Sequence, residues 1–252
     1  MLPPQKPRKT RYDKGSVKAN DRDIVCLTWI AQQYAMRFDH ACQLISMHPG
    51  PGVGPEGLSW SAARQVINRW RKAGWIGYQQ MLAGEPAWLW LTREGLAAYG
   101  LTQFKAAPPA ISRLRHLHAV NEVRLACYEQ DEDDTDEWIS ERMIHAGMFT
   151  LPQTPETRHI PDGILKRDNG GIYAIEVELR QKKPADIYKK MHALLNTWDN
   201  DAMTYFYTGI WYYTPDPGIQ KALEIARDAH SKHSQRTSLI EIGPVPSFEI
   251  SE

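Results

Sequence analysis

The stretch HIPDGILKRDNGGIYAIEVELRQKK, residues 159–183, carries three carboxylates, Asp162, Glu176 and Glu178, on either side of what reads as a tight turn. In IYAIEVELR, strand alternation puts Tyr173, Ile175, Val177 and Leu179 on one face and Ala174, Glu176, Glu178 and Arg180 on the other, so one face reads as core and the other as charged. The turn decides whether Asp162 joins the charged face. A two-residue loop, Asn169-Gly170, sets Asp162 opposite Val177; a three-residue loop, Asp168-Asn169-Gly170 with Gly170 left-handed, sets it opposite Glu176, and this second register is the one expected. Directly opposed side chains sit about 5 Å apart at Cβ, where paired carboxylates repel unless a cation or a proton lies between them. Oxygen ligands of this kind suit Mg²⁺ or Mn²⁺, which keep several waters and leave room for a phosphate and a nucleophilic water. Glu122, on the preceding helix, is a candidate fourth carboxylate for the metal.

The elements that must hold these residues follow from the flanking pattern. ISRLRHLHAVNEVRLACYEQ predicts a helix before the strands, and PADIYKKMHALLNTW predicts one after them with Pro184 in its first turn. WISERMI reads as a strand, DEDDTDE as a solvated acidic loop, TYFYTGIWYY as a further strand and PGIQKALEIARDAH as a closing helix. Together they predict an α/β/α layer order around a mixed sheet.

The first half reads differently. A helix begins near Asn20 or Asp21, DHACQLIS gives a second, and HPGPGVGPEG must be a loop. LSWSAARQVINRWRKAG announces a third helix, with Ala63, Val66, Ile67 and Trp70 facing inward and Gly74 closing it. Its opposite face presents Ser61, Arg64, Gln65, Asn68 and Arg69, and Arg71 and Lys72 lie in the last turn; these residue types bond base edges and phosphates. Two apolar and aromatic runs around AGEP read as a hairpin, and REGLAAYGL as a short helix. Three helices and a two-stranded wing are the order of a winged helix-turn-helix, whose third helix enters the major groove of duplex DNA.

Charge divides the chain at the same place. Through Lys105 there are 14 Lys and Arg against 7 Asp and Glu; from Pro108 onward there are 16 against 23, so a net charge of zero hides a basic half and an acidic half. The expected organisation is a basic arm (1–19), a DNA-binding domain (20–107) and a nuclease-like domain (108–252), with the boundary at KAAPPA. Cys26, Cys42 and Cys127 lack the spacing of a zinc site or a disulfide framework. With no apolar run near the roughly 20 residues of a membrane span and no leader-like start, a cytoplasmic protein without membrane partners is expected.

The carboxylate pattern resembles the PD-(D/E)xK nuclease superfamily: Pro161-Asp162, thirteen residues, then Glu176-Val177-Glu178. The resemblance implies a metal-dependent endodeoxyribonuclease with Asp162, Glu176 and Glu178 as catalytic residues and metal ligands. It departs from the usual pattern at Glu178, which stands where Lys is customary; some restriction enzymes of the superfamily also carry E-x-E. Arg180, Lys182, Lys189 and Lys190 are candidate auxiliary cations. From about Asn20 to Ala226 the chain resembles the replication-relaxation family of plasmids and mobile elements. The segments that carry this are SAARQVINRWRKAGWI, LWLTREGLAAYG, LRHLHAVNEVRLA, HIPDGIL and IEVEL. That resemblance implies a DNA endonuclease or nickase in plasmid replication, DNA relaxation or mobilisation, with replication or mobilisation proteins and a second copy of the chain as candidate partners. The alternative is a catalytically inactive accessory or regulatory protein that binds DNA and uses the nuclease fold as a scaffold.

Overall fold

Capping side chains set the helix starts of the first half. Asn20 accepts from the Asp23 N–H while Asp23 accepts from the Asn20 N–H, closing a capping box at the start of α1 (Asp21–Gln32). The computed structural model describes residues 19–48, 58–129, 135–152, 159–231 and 235–246. Next come β1 (Met36–Arg37) and α2 (Phe38–Met47). Ser59 Oγ accepts from the Ala62 N–H to begin α3 (Trp60–Lys72), and Gly74, at φ 74°, takes the left-handed turn that follows. The hairpin is β2 (Ile76–Gln79) with β3 (Trp88–Leu91), and Thr92 caps α4 (Arg93–Ala98). The sequence reading missed β1, which pairs antiparallel with β3 and makes a three-stranded sheet of order β1-β3-β2. Ile30, Leu44, Ile67, Trp70 and Leu89 are buried between the helices and this sheet.

In the second half the order is α5 (Leu114–Glu129), β4 (Glu137–Ser140), α6 (Glu141–His145), β5 (Gly163–Lys166), β6 (Ile172–Val177) and α7 (Pro184–Leu195). It continues through β7 (Trp198–Asp199), β8 (Thr204–Tyr205), β9 (Gly209–Tyr213), α8 (Pro217–Ser231) and β10 (Ile240–Gly243). Five strands form a mixed sheet of order β10-β9-β6-β5-β4, parallel at β10-β9 and β9-β6 and antiparallel at β6-β5 and β5-β4. The chain is therefore a mixed α+β protein. Among the described residues no helix is long and apolar enough to cross a membrane.

The β5-β6 hairpin has the three-residue loop. Arg167 donates to the Gly171 carbonyl, Gly170 sits at φ 83°, and the pairing Gly163 to Ile175 through Lys166 to Ile172 extends, one step further, to Asp162 opposite Glu176. The expected division of β6 into a core face and a charged face holds, but the charged face is covered as well. Ile175 and Val177 pack under Ala119, Val120 and Val123 of α5, while Ala174, on the other face, packs with Ile187 and Met191 of α7. A strand paired in parallel needs a crossover connection, and here α7 provides it, so both faces of β6 are covered.

Three element boundaries also differ. WISERMI is strand only to Ser140, whose hydroxyl caps α6 by accepting from the Met143 N–H. The helix expected to reach Trp198 stops at Leu195, and Trp198 pairs with Tyr205 in a two-stranded ribbon. TYFYTGIWYY accordingly divides into β8 and β9. The basic arm, almost all of HPGPGVGPEG, the start of the acidic run and the Pro/Thr-rich loop lie outside the described residues.

The two halves meet along α5. Leu125 belongs to the first half's core, Leu114 and Leu117 pack with Ala35 and Trp88, and the buried Asn121 donates to the Ala35 carbonyl at 3.0 Å. Arg124 donates to Gln32 Oε1 at 2.7 Å and Ser140 to the Gln32 carbonyl at 2.7 Å, so residues after 108 satisfy the carbonyl end of α1. Tyr34 turns the chain there at φ 67°, a costly angle for a residue with a Cβ, and the guanidinium groups of Arg113 and Arg142 lie 4.9 and 4.6 Å from its ring centroid.

Candidate active site

Asp162 lies just before β5, where the register brings it beside β6. Its Oδ2 accepts from the Val177 N–H at 2.8 Å, a donor on β6 beyond the end of its pairing with β5, and its Oδ1 meets His116 Nε2 of α5 at 2.9 Å. Glu176 is 1% exposed. One of its oxygens meets His159 Nε2 at 2.6 Å and the other accepts from Lys190 Nζ of α7 at 2.8 Å. Glu178, also buried, accepts from Lys182 Nζ at 2.7 Å and lies 3.6 Å from Lys190 Nζ. Lys190 thus bridges the two glutamates. It reaches them because α7 crosses the face of β6 on which they lie.

Burial pushes the Glu176 carboxyl up, but Lys190 and His159 outweigh it and hold the group down at about 2. Burial likewise opposes charge on Lys190, and Glu176 and Glu178 reverse this, raising it above the ordinary lysine range. Burial lowers His116 and its bond to Asp162 more than compensates, so the imidazole is raised. These are the effects expected when opposite charges are desolvated together.

A pocket of about 460 Å³ opens between α5, the end of β6 and α7. Asp162, Glu178 and Lys190 line it, joined by Arg115, Arg180 and Lys182. Carboxylates alternate with four cations, a composition suited to a phosphodiester rather than to an apolar ligand.

Of the candidate cations, Lys190 and Lys182 pair with the glutamates and Arg180 lines the pocket; Lys189 has no ion pair there among the described contacts. Glu122 is not brought to Asp162. Six residues beyond His116 on α5, it is turned toward α2, where it lies 3.3 Å from His118 and 3.9 Å from His40. Among the described residues, the three groups whose ligand atoms lie within 4.8 Å of one another are His40, His118 and Glu122, and not the acidic trio. The trio is also charge-compensated by Lys182, Lys190 and the raised imidazole of His116, so the expectation that a divalent ion must hold it together gives way to neutralisation by the chain's own cations. Oxygen donors are the type that Mg²⁺ or Mn²⁺ takes, ordinarily from one or two carboxylates completed by water and phosphate, and of the trio Asp162 and Glu178 line the pocket. His116 and His159 went unnoticed in the sequence. His159 sits inside the quoted stretch, three residues before Asp162, but its partner is fourteen positions beyond Asp162 and only the hairpin joins them.

On α3, Ser61, Arg64, Gln65, Asn68, Arg71 and Lys72 are exposed. Arg64 lies over Phe38 and Arg71 over Tyr78, at 5.5 and 4.3 Å from the ring centroids, which orders both guanidinium groups at the surface. Arg69 departs from the expected face. It pairs with the fully buried Asp23, which also accepts from Trp70 Nε1 at 2.8 Å, so its charge is committed to tying α3 to α1.

Compared with known proteins, the chain matches no family model and no curated protein.

Proposed function

We propose that this protein binds duplex DNA through α3 and the β2-β3 hairpin, in the manner of a winged helix, and cleaves a phosphodiester bond in the Asp162 pocket. The observation that carries the second part is Lys190, whose ammonium lies 2.8 Å from Glu176 and 3.6 Å from Glu178. In the PD-(D/E)xK pattern that this chain resembles, an ammonium is expected beside the acidic pair; here the strand offers Glu178, and the following helix supplies the charge instead. Asp162, Glu176 and Glu178 are the residues that would hold Mg²⁺ or Mn²⁺, which when bound polarises a phosphoryl oxygen and a water. The chain's own contribution is positional. Val177 N–H and His116 fix the two oxygens of Asp162, and Glu176 fixes Lys190 at the pocket wall. Arg115, Arg180 and Lys182 offer charge to the flanking phosphates. Resemblance to the replication-relaxation family makes plasmid replication, relaxation or mobilisation the process proposed for this activity.

The test is incubation of supercoiled plasmid with Mg²⁺. Wild type should nick or linearise it, and Asp162→Ala and Lys190→Ala should abolish cleavage while duplex binding persists. Equal cleavage by Asp162→Ala refutes the site. A second reading, a DNA-binding accessory protein with an inactive nuclease-like half, is favoured by the engagement of both Glu176 oxygens by His159 and Lys190. DNA binding with no cleavage by wild type, in Mg²⁺ or Mn²⁺, would select it.

A further inference from the structure

Away from the pocket, His118 and Glu122 stand one turn apart on the same face of α5, opposite His40 of α2. His118 Nε2 lies 3.3 Å and His40 Nε2 3.9 Å from the same oxygen, Glu122 Oε1, and all three ligand atoms fall within 4.8 Å of one another. A tetrahedral zinc ion with bonds of about 2.0–2.1 Å separates its ligand atoms by roughly 3.3 Å. The Glu122–His118 pair already has that spacing, the Glu122–His40 contact needs to close by about half an ångström, and the two imidazoles offer ligand atoms within 4.8 Å of each other.

The cluster is poorly satisfied by hydrogen bonds. The two rings stack with centroids 4.4 Å apart and planes 12° from parallel, and the Nδ1 atom of each is buried without a hydrogen-bond partner. At 3.9 Å His40 Nε2 is beyond hydrogen-bond reach of the carboxylate. The gap between His40 Nε2 and Glu122 Oε1 is the one a further partner would fill.

We propose that His40, His118 and Glu122 form a His₂Glu site for a borderline divalent transition metal, Zn²⁺ being the best fit, which fastens α2 to α5. Two imidazoles with one carboxylate favour Zn²⁺, Co²⁺ or Ni²⁺ over the hard ions suited to the Asp162 pocket. His118 and Glu122 are partly exposed, so the remaining coordination position opens toward water. The ion joins the two halves at their seam, since α2 packs on the helix proposed to read DNA and α5 carries His116 of the pocket.

The experiment uses the full chain without an affinity tag, stripped with chelator and titrated with Co²⁺. Expected are one equivalent bound per chain, a visible ligand-field absorption of tetrahedral intensity that Zn²⁺ abolishes by displacement, and a thermal midpoint roughly 5–10 °C higher with Zn²⁺ at about 100 times its Kd. Glu122→Gln, which keeps side-chain size, and His118→Asn should each remove the absorption and the midpoint shift while the metal-free variants stay folded by circular dichroism. Glu176→Gln should leave both in place, so this site can fail without the pocket failing, and the reverse. No spectral change in wild type, or a signal that survives both ligand substitutions, or one lost in Glu176→Gln, overturns the proposal.

Discussion

Replacing Lys190 with methionine removes a charge from a buried pair while keeping most of the volume. Glu176 is 1% exposed and holds two partners, His159 at 2.6 Å and Lys190 at 2.8 Å, which depress its carboxyl from the ordinary 4.5 to about 2. Stranding one member of a buried pair costs about 3–5 kcal/mol. The substitution would leave Glu176 with His159 alone, so Lys190→Met should destabilise by about 3 kcal/mol, or roughly 6–12 °C in a chain of this length. Because the folded pKa is depressed, the pair's contribution is fully present above about pH 4.5 and is lost as pH falls toward about 2, so the deficit should shrink in acid. The assay is a double-mutant cycle with Glu176→Gln by reversible denaturation at pH 7 and pH 3. A coupling of about 2–3 kcal/mol at pH 7 is expected. Additive single effects, or a Lys190→Met cost under about 1 kcal/mol, would refute the buried bridge and with it the reason for placing an ammonium at the site.

Arg64→Ala should weaken duplex binding and flatten its salt dependence by about one ion per lost phosphate contact, measured by fluorescence anisotropy at several salt concentrations. Arg69→Ala should instead lower the thermal midpoint, because it uncovers the buried Asp23. His116→Gln tests a group raised by its bond to Asp162: the wild-type contribution is fully present below about pH 6.5 and lost as pH rises through the raised value, so the variant's midpoint should vary less across that window in a pH series of melts. Gly163→Ala would bring a Cβ to 2.2 Å from the Trp138 ring and should cost about 1–3 kcal/mol by denaturant titration; an unchanged midpoint would mean that Trp138 yields freely.

Local rules in the sequence set a good deal of this protein. Asn20, Ser59 and Pro184 mark helix starts by chemistry confined to a turn, and Asp168-Asn169-Gly170 sets the hairpin register through one left-handed glycine, which is why Asp162 falls opposite Glu176. The composition of the exposed α3 face was legible for the same reason, since period and residue type suffice. What depended on distant partners was not. Arg69 looked like its neighbours until Asp23, 46 positions earlier, took its charge. Glu122 looked available to the carboxylates, but the pitch of α5 turns it to His40 and gives Asp162 to His116 instead. Strand alternation correctly separated the glutamates from Ile175 and Val177 but could not reveal that α7 covers the glutamates' face, because burial depends on what crosses a strand and not on the strand itself. The sequence by itself determined which acids lie side by side; the tertiary structure alone decided that Lys190 stands between them, since a charge from a crossing helix has no fixed spacing along the chain.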